Sequence, residues 1–193
     1  MKIYTKVLTM LFLTISVMIG CVNQDNSTRI VTNELKESDE FFNFILRYGY
    51  NGKNVLNTYE GTFTKDLVSA GTMTTKLELS EEEKKSILNE MKKIDIFNYS
   101  NDFKEYISIT PRSDYSLEIN YNGRHKTLNW NGNNIPLKSI DPNETDPQKA
   151  INYIETNETK PILDLVRLEL NIIKIIESKS EYRKLPGTQG GYF

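Results

Sequence analysis

The chain has little of what most chemistry at a protein site requires. It contains a single cysteine, Cys21, so no disulfide can form within it. It contains a single histidine, His125, which excludes metal sites built on several imidazoles and leaves one candidate for a histidine base. Its formal net charge is -2, so it lacks the basic excess that binding to phosphate backbones needs. Gly52, Gly61 and Gly71 are too scattered for a phosphate-cradling loop. No internal repeat is visible, and after the first twenty residues no apolar run is long enough to span a bilayer.

What is present begins with an address. Lys2 and Lys6 give a positive start, and an apolar run follows from Val7 to Ile19, interrupted by Thr9, Thr14 and Ser16. A spanning helix needs about 20 apolar residues, so this run fits a secretory signal rather than a permanent anchor. Val17-Met18-Ile19-Gly20-Cys21 resembles the lipobox of bacterial lipoproteins, with Met18 where leucine is usual. The resemblance implies cleavage between Gly20 and Cys21 and diacylglyceryl modification of the Cys21 thiol. Two acyl chains suffice for stable attachment where one is marginal. The alternative is an ordinary cleaved signal beside an incidental cysteine. Removal of residues 1–20 takes two of the 24 basic residues, leaving 22 against 26 acidic ones and a net charge of -4.

Residues 21–40 are polar, from Asn23 to Thr28 and on through a charged stretch, and read as a flexible tether. Residues 41–193 then form a single domain. Phe42, Phe44, Leu46 and Tyr48 alternate with Asn43, Ile45 and Arg47, a strand period. A returning strand is expected over Val55–Thr64, with Val55, Tyr59 and Phe63 on one side. A third is expected over Thr74–Leu79, with Thr75, Leu77 and Leu79 on one face. Ser80-Glu81-Glu82-Glu83 is a capping box that opens a helix carrying Ile87, Leu88, Met91 and Ile94 and stopping near Asp95. Asn122-Gly123 predicts a two-residue hairpin turn. That turn sets Tyr121 opposite Arg124, Ile119 opposite Lys126, Leu117 opposite Leu128 and Tyr115 opposite Trp130. Ser116, Glu118, Asn120, His125, Thr127 and Asn129 fall on the other, polar face.

Asn131–Thr145 reads as loop, and Asp146-Pro147 as the start of a short helix reaching about Ile154. The longest helix is expected over Thr159–Ser178, where Ile162, Leu165, Leu168, Ile172 and Ile176 form a stripe widened by Val166 and Ile173. It is placed across the apolar sheet face. The stretch from Leu185 onward cannot be helix. The fold class is α+β, a mainly antiparallel β-sheet with helices packed on one face. The run Tyr48–Thr64, the Leu79-Ser80-Glu81-Glu82 helix start, Ile94-Asp95-Ile96-Phe97 and Gly190-Gly191-Tyr192 resemble an uncharacterised lipoprotein-like group of Bacillus-type Gram-positive bacteria. The resemblance implies location and fold, and brings no catalytic residue.

Four groups of residues could carry chemistry. Glu60, Glu78, Asp114 and Glu118 are strand-associated acids that could pair for glycoside hydrolysis, which needs two carboxyls about 5–9 Å apart; solvated acids on a sheet face are far commoner. Asp141, Asn143, Glu144, Thr145 and Asp146 make an oxygen-rich loop, but Asp146 and Asn152 stand where a calcium hand needs glycine and glutamate. Tyr48, Tyr50 and Tyr59 could stack on sugars, although tyrosines at strand spacing serve cores and rims. His125 has no nucleophile and orienting acid specified beside it, and Ser108, Ser113 and Ser116 lie in no nucleophile motif. The expectation is therefore an extracytoplasmic lipoprotein held to the cell membrane through Cys21, acting as a non-enzymatic binding module for an envelope protein or peptide. No cofactor, metal or nucleic acid is expected. The expected binding face carries Glu118, Asn120, His125 and Thr127. A cell-envelope hydrolase and a solute- or cation-binding lipoprotein are the alternatives.

Overall fold

The computed structural model describes residues 41–136, 145 and 156–192. All lie in the compact unit Glu40–Phe193. Gly20, Cys21, the tether, the Asp141–Asp146 loop (Thr145 apart) and the helix expected from Asp146 lie outside the described residues.

Six strands form one antiparallel sheet: β1 Phe42–Tyr48, β2 Asn54–Asn57, β3 Thr62–Asp66, β4 Thr72–Lys76, β5 Asp114–Tyr121 and β6 Arg124–Asn131. Their order across the sheet is β4-β3-β2-β1-β5-β6. Between β4 and β5 comes helix α1, Glu81–Lys93, and after β6 come α2, Lys160–Ser178, and the single turn α3, Ser180–Arg183. This is the expected α+β architecture.

The alternation in β1 places Phe42, Phe44 and Leu46 inward, all buried. The hairpin forms in the expected register, from Tyr121 opposite Arg124 to Tyr115 opposite Trp130. Its turn uses φ of 47° at Asn122 and 79° at Gly123, the pair of left-handed values that suits the strand twist. At α1, the Ser80 side chain accepts from the Glu83 N–H at 3.2 Å, and the Glu83 carboxylate accepts from the Ser80 N–H at 2.7 Å. The helix ends as Asp95 turns left-handed, with φ of 56°.

Two strand expectations need correction. Val55–Thr64 is two strands joined by a turn, because the Asn57 side chain accepts the N–H groups of Tyr59 and Glu60 and Gly61 takes a φ of 62°. Val55 consequently pairs with Thr64 on the outer face while Leu56 and Phe63 point into the core. The third strand runs Thr72–Lys76 rather than Thr74–Leu79; Leu77 and Leu79 are buried just beyond its end.

The core joins the inner sheet face to the helices. Leu56, Phe63, Leu117, Ile119 and Leu128 pack with Ile87, Leu88 and Met91 of α1 and with Ile162, Leu165, Leu168, Ile172 and Ile176 of α2. Burying each such side chain contributes about 1.5–3 kcal/mol. Ile173, expected to widen the stripe, is only half-buried, whereas Asp164 and Glu169 are buried. Asp164 is satisfied by the Tyr99 hydroxyl at 2.9 Å, by Arg167 at 3.1 Å and by Lys160. Glu169 has no ion-pair partner among the described residues. Its burial pushes the carboxyl up to about 8; the hydroxyls of Tyr48 and Tyr115 are raised first by their own burial, with the Glu169 charge adding a smaller push. Among the described residues no helix is long and apolar enough to cross a membrane.

Candidate functional site

Strand alternation sends every second residue of β1, β5 and β6 away from the helices. Arg47, Ser116 and Asn129 therefore stand side by side in one row across the three strands, and Asp114 faces Asn131 in the next. These five residues line a cleft of about 620 Å³. The turn at Asn51 and Gly52 forms one wall, and the segment Asn101–Phe103 with Glu105 forms another.

Each wall is held by backbone bonds. The Gly49 carbonyl accepts from the N–H groups of Gly52 at 3.0 Å and Asp114 at 2.9 Å, which fastens the turn to the start of β5. Tyr50 bridges to Ser113. On the other side, the Asn134 amide donates to the carbonyls of Phe103 at 2.9 Å and Lys104 at 3.1 Å, and the Tyr106 N–H donates to the Asn133 carbonyl at 2.7 Å. Asn133 and Asn134 are buried to do this. The sequence around Asn131–Asn134 reads as loop, yet these asparagines are what pins the wall.

The cleft is polar and mixed in charge. Asp102, Glu105 and Asp114 bring three carboxylates. Asp114 is held by Arg112 at 3.2 Å. Arg47 is exposed, lines the cleft and makes no ion pair with a described residue. Behind the cleft Tyr115 and Trp130 stack, with centroids 5.4 Å apart and planes 13° apart. Burial, first, and the Glu169 charge, second, push the Tyr115 hydroxyl up to about 12. The Trp130 indole N–H is buried without a partner among the described residues.

The four residues expected to form the binding face lie on the same outer side, further along the hairpin. Glu118 pairs with Thr127 and Asn120 with His125. His125 is exposed, and its Nε2 lies 3.3 Å from the Thr127 hydroxyl. The Asn120 side-chain oxygen is buried without a partner among the described residues. Tyr59, from the turn after β2, reaches this patch. Burial and the Glu118 charge raise its hydroxyl, and a hydrogen bond from Asn120 opposes them. The four residues are thus brought together, but none of them lines the cleft.

The four strand-associated acids do not gather in one cleft. Asp114 and Glu118 share a face of β5 four residues apart, about 13 Å at strand rise, beyond the usual carboxyl spacing. Glu60 and Glu78 do line one shallow cleft of about 220 Å³ with Glu81 and Lys84. There Glu78 is exposed, and Lys76 at 2.9 Å lowers its carboxyl. Neither property suits a proton donor. Of the tyrosines, Tyr48 is inward and Tyr50 is stacked under Tyr192, so they build no common platform with Tyr59. Among the described residues no group of three histidine, cysteine or acidic side chains could hold a metal ion. Compared with family models, with curated proteins and with solved structures, this chain matches none.

Proposed function

We propose that this chain is a lipid-anchored lipoprotein of the extracytoplasmic membrane face, attached through Cys21, and that its folded unit is a non-enzymatic binding module. The observation that carries the reading is the cleft on the outer side of the sheet, away from α1 and α2, where Arg47, which makes no ion pair with a described residue, stands in a row with Ser116 and Asn129. A guanidinium fork flanked by amides and carboxylates suits a polar peptide segment, whose carboxylates and amides it can hold through paired hydrogen bonds. The lipobox-like Val17–Cys21 stretch and the polar residues 21–40 support a tethered position for the module.

The hydrolase alternative draws support from three carboxylates in this cleft. Against it, Asp114 is committed to Arg112, and Glu169, whose carboxyl burial pushes up to about 8, is in the core.

The test combines address and surface. Intact mass and membrane partitioning of the wild type and Cys21→Ser are measured in a Gram-positive host. The wild type is expected to carry the diacylglyceryl mass and sediment with membranes, and the variant is expected in the medium. A photo-crosslinker at Asn129 is then compared with one at Lys174, on the exposed side of α2. Crosslinks confined to Asn129 support the module. An unmodified, freely secreted wild type overturns the anchor, and equal crosslinking at both positions overturns the binding face.

A further inference from the structure

The segment after α3 is not packed as a helix or loop usually is. It lies extended along the β3–β4 turn and is held by two devices. The first is backbone pairing at Gln189, whose N–H donates to the Leu67 carbonyl at 3.2 Å and whose carbonyl accepts from the Ser69 N–H at 3.2 Å and the Ser69 hydroxyl at 2.8 Å. This is a parallel bridge across Val68. The second device is the side chain of Tyr192. Its ring stacks on Tyr50 with centroids 3.8 Å apart, its hydroxyl donates to Asp66 at 2.7 Å, and the same hydroxyl accepts from the Lys53 ammonium at 2.8 Å.

The receiving surface is built independently of its occupant. Asp66 is 5% exposed, its N–H is fixed by Asn54 at 3.0 Å, and one carboxylate oxygen already accepts from the Val68 N–H at 2.9 Å. That leaves the other oxygen for the phenol. Leu67, whose carbonyl takes the Gln189 N–H, is buried. The occupant is the opposite: residues 186–191 are exposed, and Gly187, Gly190 and Gly191 offer no side chain to hold. A segment held by one bridge and one ring, with the entropy of three glycines to regain, opens locally at low cost.

We propose that Tyr50, Lys53, Asp66 and the β3–β4 turn form a recognition site for an extended peptide, and that in this chain the site is filled by its own segment Gln189–Tyr192. The peptide class follows from the occupant. One residue pairs by its backbone with Leu67 and Ser69, in the manner of an added strand, and a tyrosine three positions later enters the slot between Tyr50, Lys53 and Asp66. A partner carrying that pattern competes with the chain's own segment, so the site is self-occluded until the segment is displaced. The inference rests on these contacts alone and is independent of the anchor and of the cleft.

The experiment uses the full folded unit with Tyr192→Ala, which empties the slot, titrated with the capped peptide Pro-Gly-Thr-Gln-Gly-Gly-Tyr and followed by amide NMR. Saturable shifts are expected at Lys53, Val68 and Ser69, with weak, millimolar affinity. The same peptide ending in alanine is expected to bind about 10-fold more weakly, the worth of one stacked and hydrogen-bonded ring. In the wild-type chain the response at equal peptide is expected to fall about 10-fold, because its own segment holds the site. Absence of shifts at these amides in the variant overturns the proposal. So does equal binding of the alanine peptide, or a wild-type response equal to that of the variant.

Discussion

The two faces of the sheet are made by the same strands and differ in everything except backbone. On β1, Phe44 and Leu46 are fully buried against the helices, while Arg47, one residue on, is exposed at the cleft. On β6, Leu128 is fully buried and its neighbours Thr127 and Asn129 belong to the outer patch and the cleft. The inner face is bound to its place by packing, where each lost methylene leaves a cavity. The outer face carries Arg47, the Asn120 oxygen, which has no partner among the described residues, and the carboxylates. One residue of displacement along a strand therefore changes a side chain's place from the packed core to the exposed outer face.

The sharpest way to break this comparison is a matched pair of truncations. Phe44→Ala is expected to lower unfolding stability by about 3–5 kcal/mol, since a fully enclosed ring is replaced by a cavity. Thr127→Ala, on the outer side, is expected to change it by less than about 0.5 kcal/mol. Urea unfolding reads both, and comparable losses would abolish the distinction between the faces.

Glu169 is an exception that sharpens the rule, a buried acid with no ion-pair partner among the described residues. Its carboxyl is held up to about 8 from an ordinary 4.5, by burial. The folded state then binds a proton that the unfolded state releases. The contribution is full below about 4.5 and is lost as pH rises through about 8. At about 1.4 kcal/mol per pH unit, stability is expected to fall by a few kcal/mol between pH 5 and 9. Glu169→Gln is expected to flatten that profile and to exceed the wild type in stability at pH 9. An unchanged pH dependence in the variant would assign the titration to another group.

The turn at the end of the hairpin comes next in size. A Cβ at Gly123 meets no atom within 4 Å, so Gly123→Ala tests conformation alone at a φ of 79°. It is expected to cost about 1 kcal/mol in the same unfolding assay. A neutral result would mean that the strands, rather than the turn, set the hairpin register.

How much of this was legible follows the range of each signal. The capping box at Ser80, the Asn122-Gly123 turn and the stripe in α2 are written within a few neighbouring residues, and each formed where expected. The turn within Val55–Thr64 was missed because Asn57 acts through a side-chain oxygen that imitates a carbonyl, a weaker mark than the later glycine pair. Glu169 was invisible because a charged residue inside an apolar stripe reads as its wet edge, and only the tertiary fold buries it, near enough to Tyr48 and Tyr115 for its charge to act on their hydroxyls. The hairpin placed Glu118, Asn120, His125 and Thr127 on one side as expected. The cleft on that side draws on residues near 50, 100, 115 and 130, brought together by hydrogen bonds such as Asn134 to Phe103 that no local spacing announces.

The smallest stability effect is expected from Arg47→Ala, and it separates the two faces most cleanly. Arg47 is exposed, makes no ion pair with a described residue, and stands on the strand that carries Phe44 and Leu46. Its removal is expected to shift the urea midpoint by less than the equivalent of about 0.5 kcal/mol. If the cleft captures its ligand through that guanidinium, crosslinking from Asn129 is expected to fall about 10-fold or more, the worth of a charge-assisted pair. Arg47→Lys keeps the charge but loses the planar fork, so an intermediate loss is expected from it. A variant that unfolds as easily as Phe44→Ala would place Arg47 in the fold's own packing. One that stays stable and still crosslinks fully would move recognition away from the cleft and down the hairpin, towards Glu118 and His125.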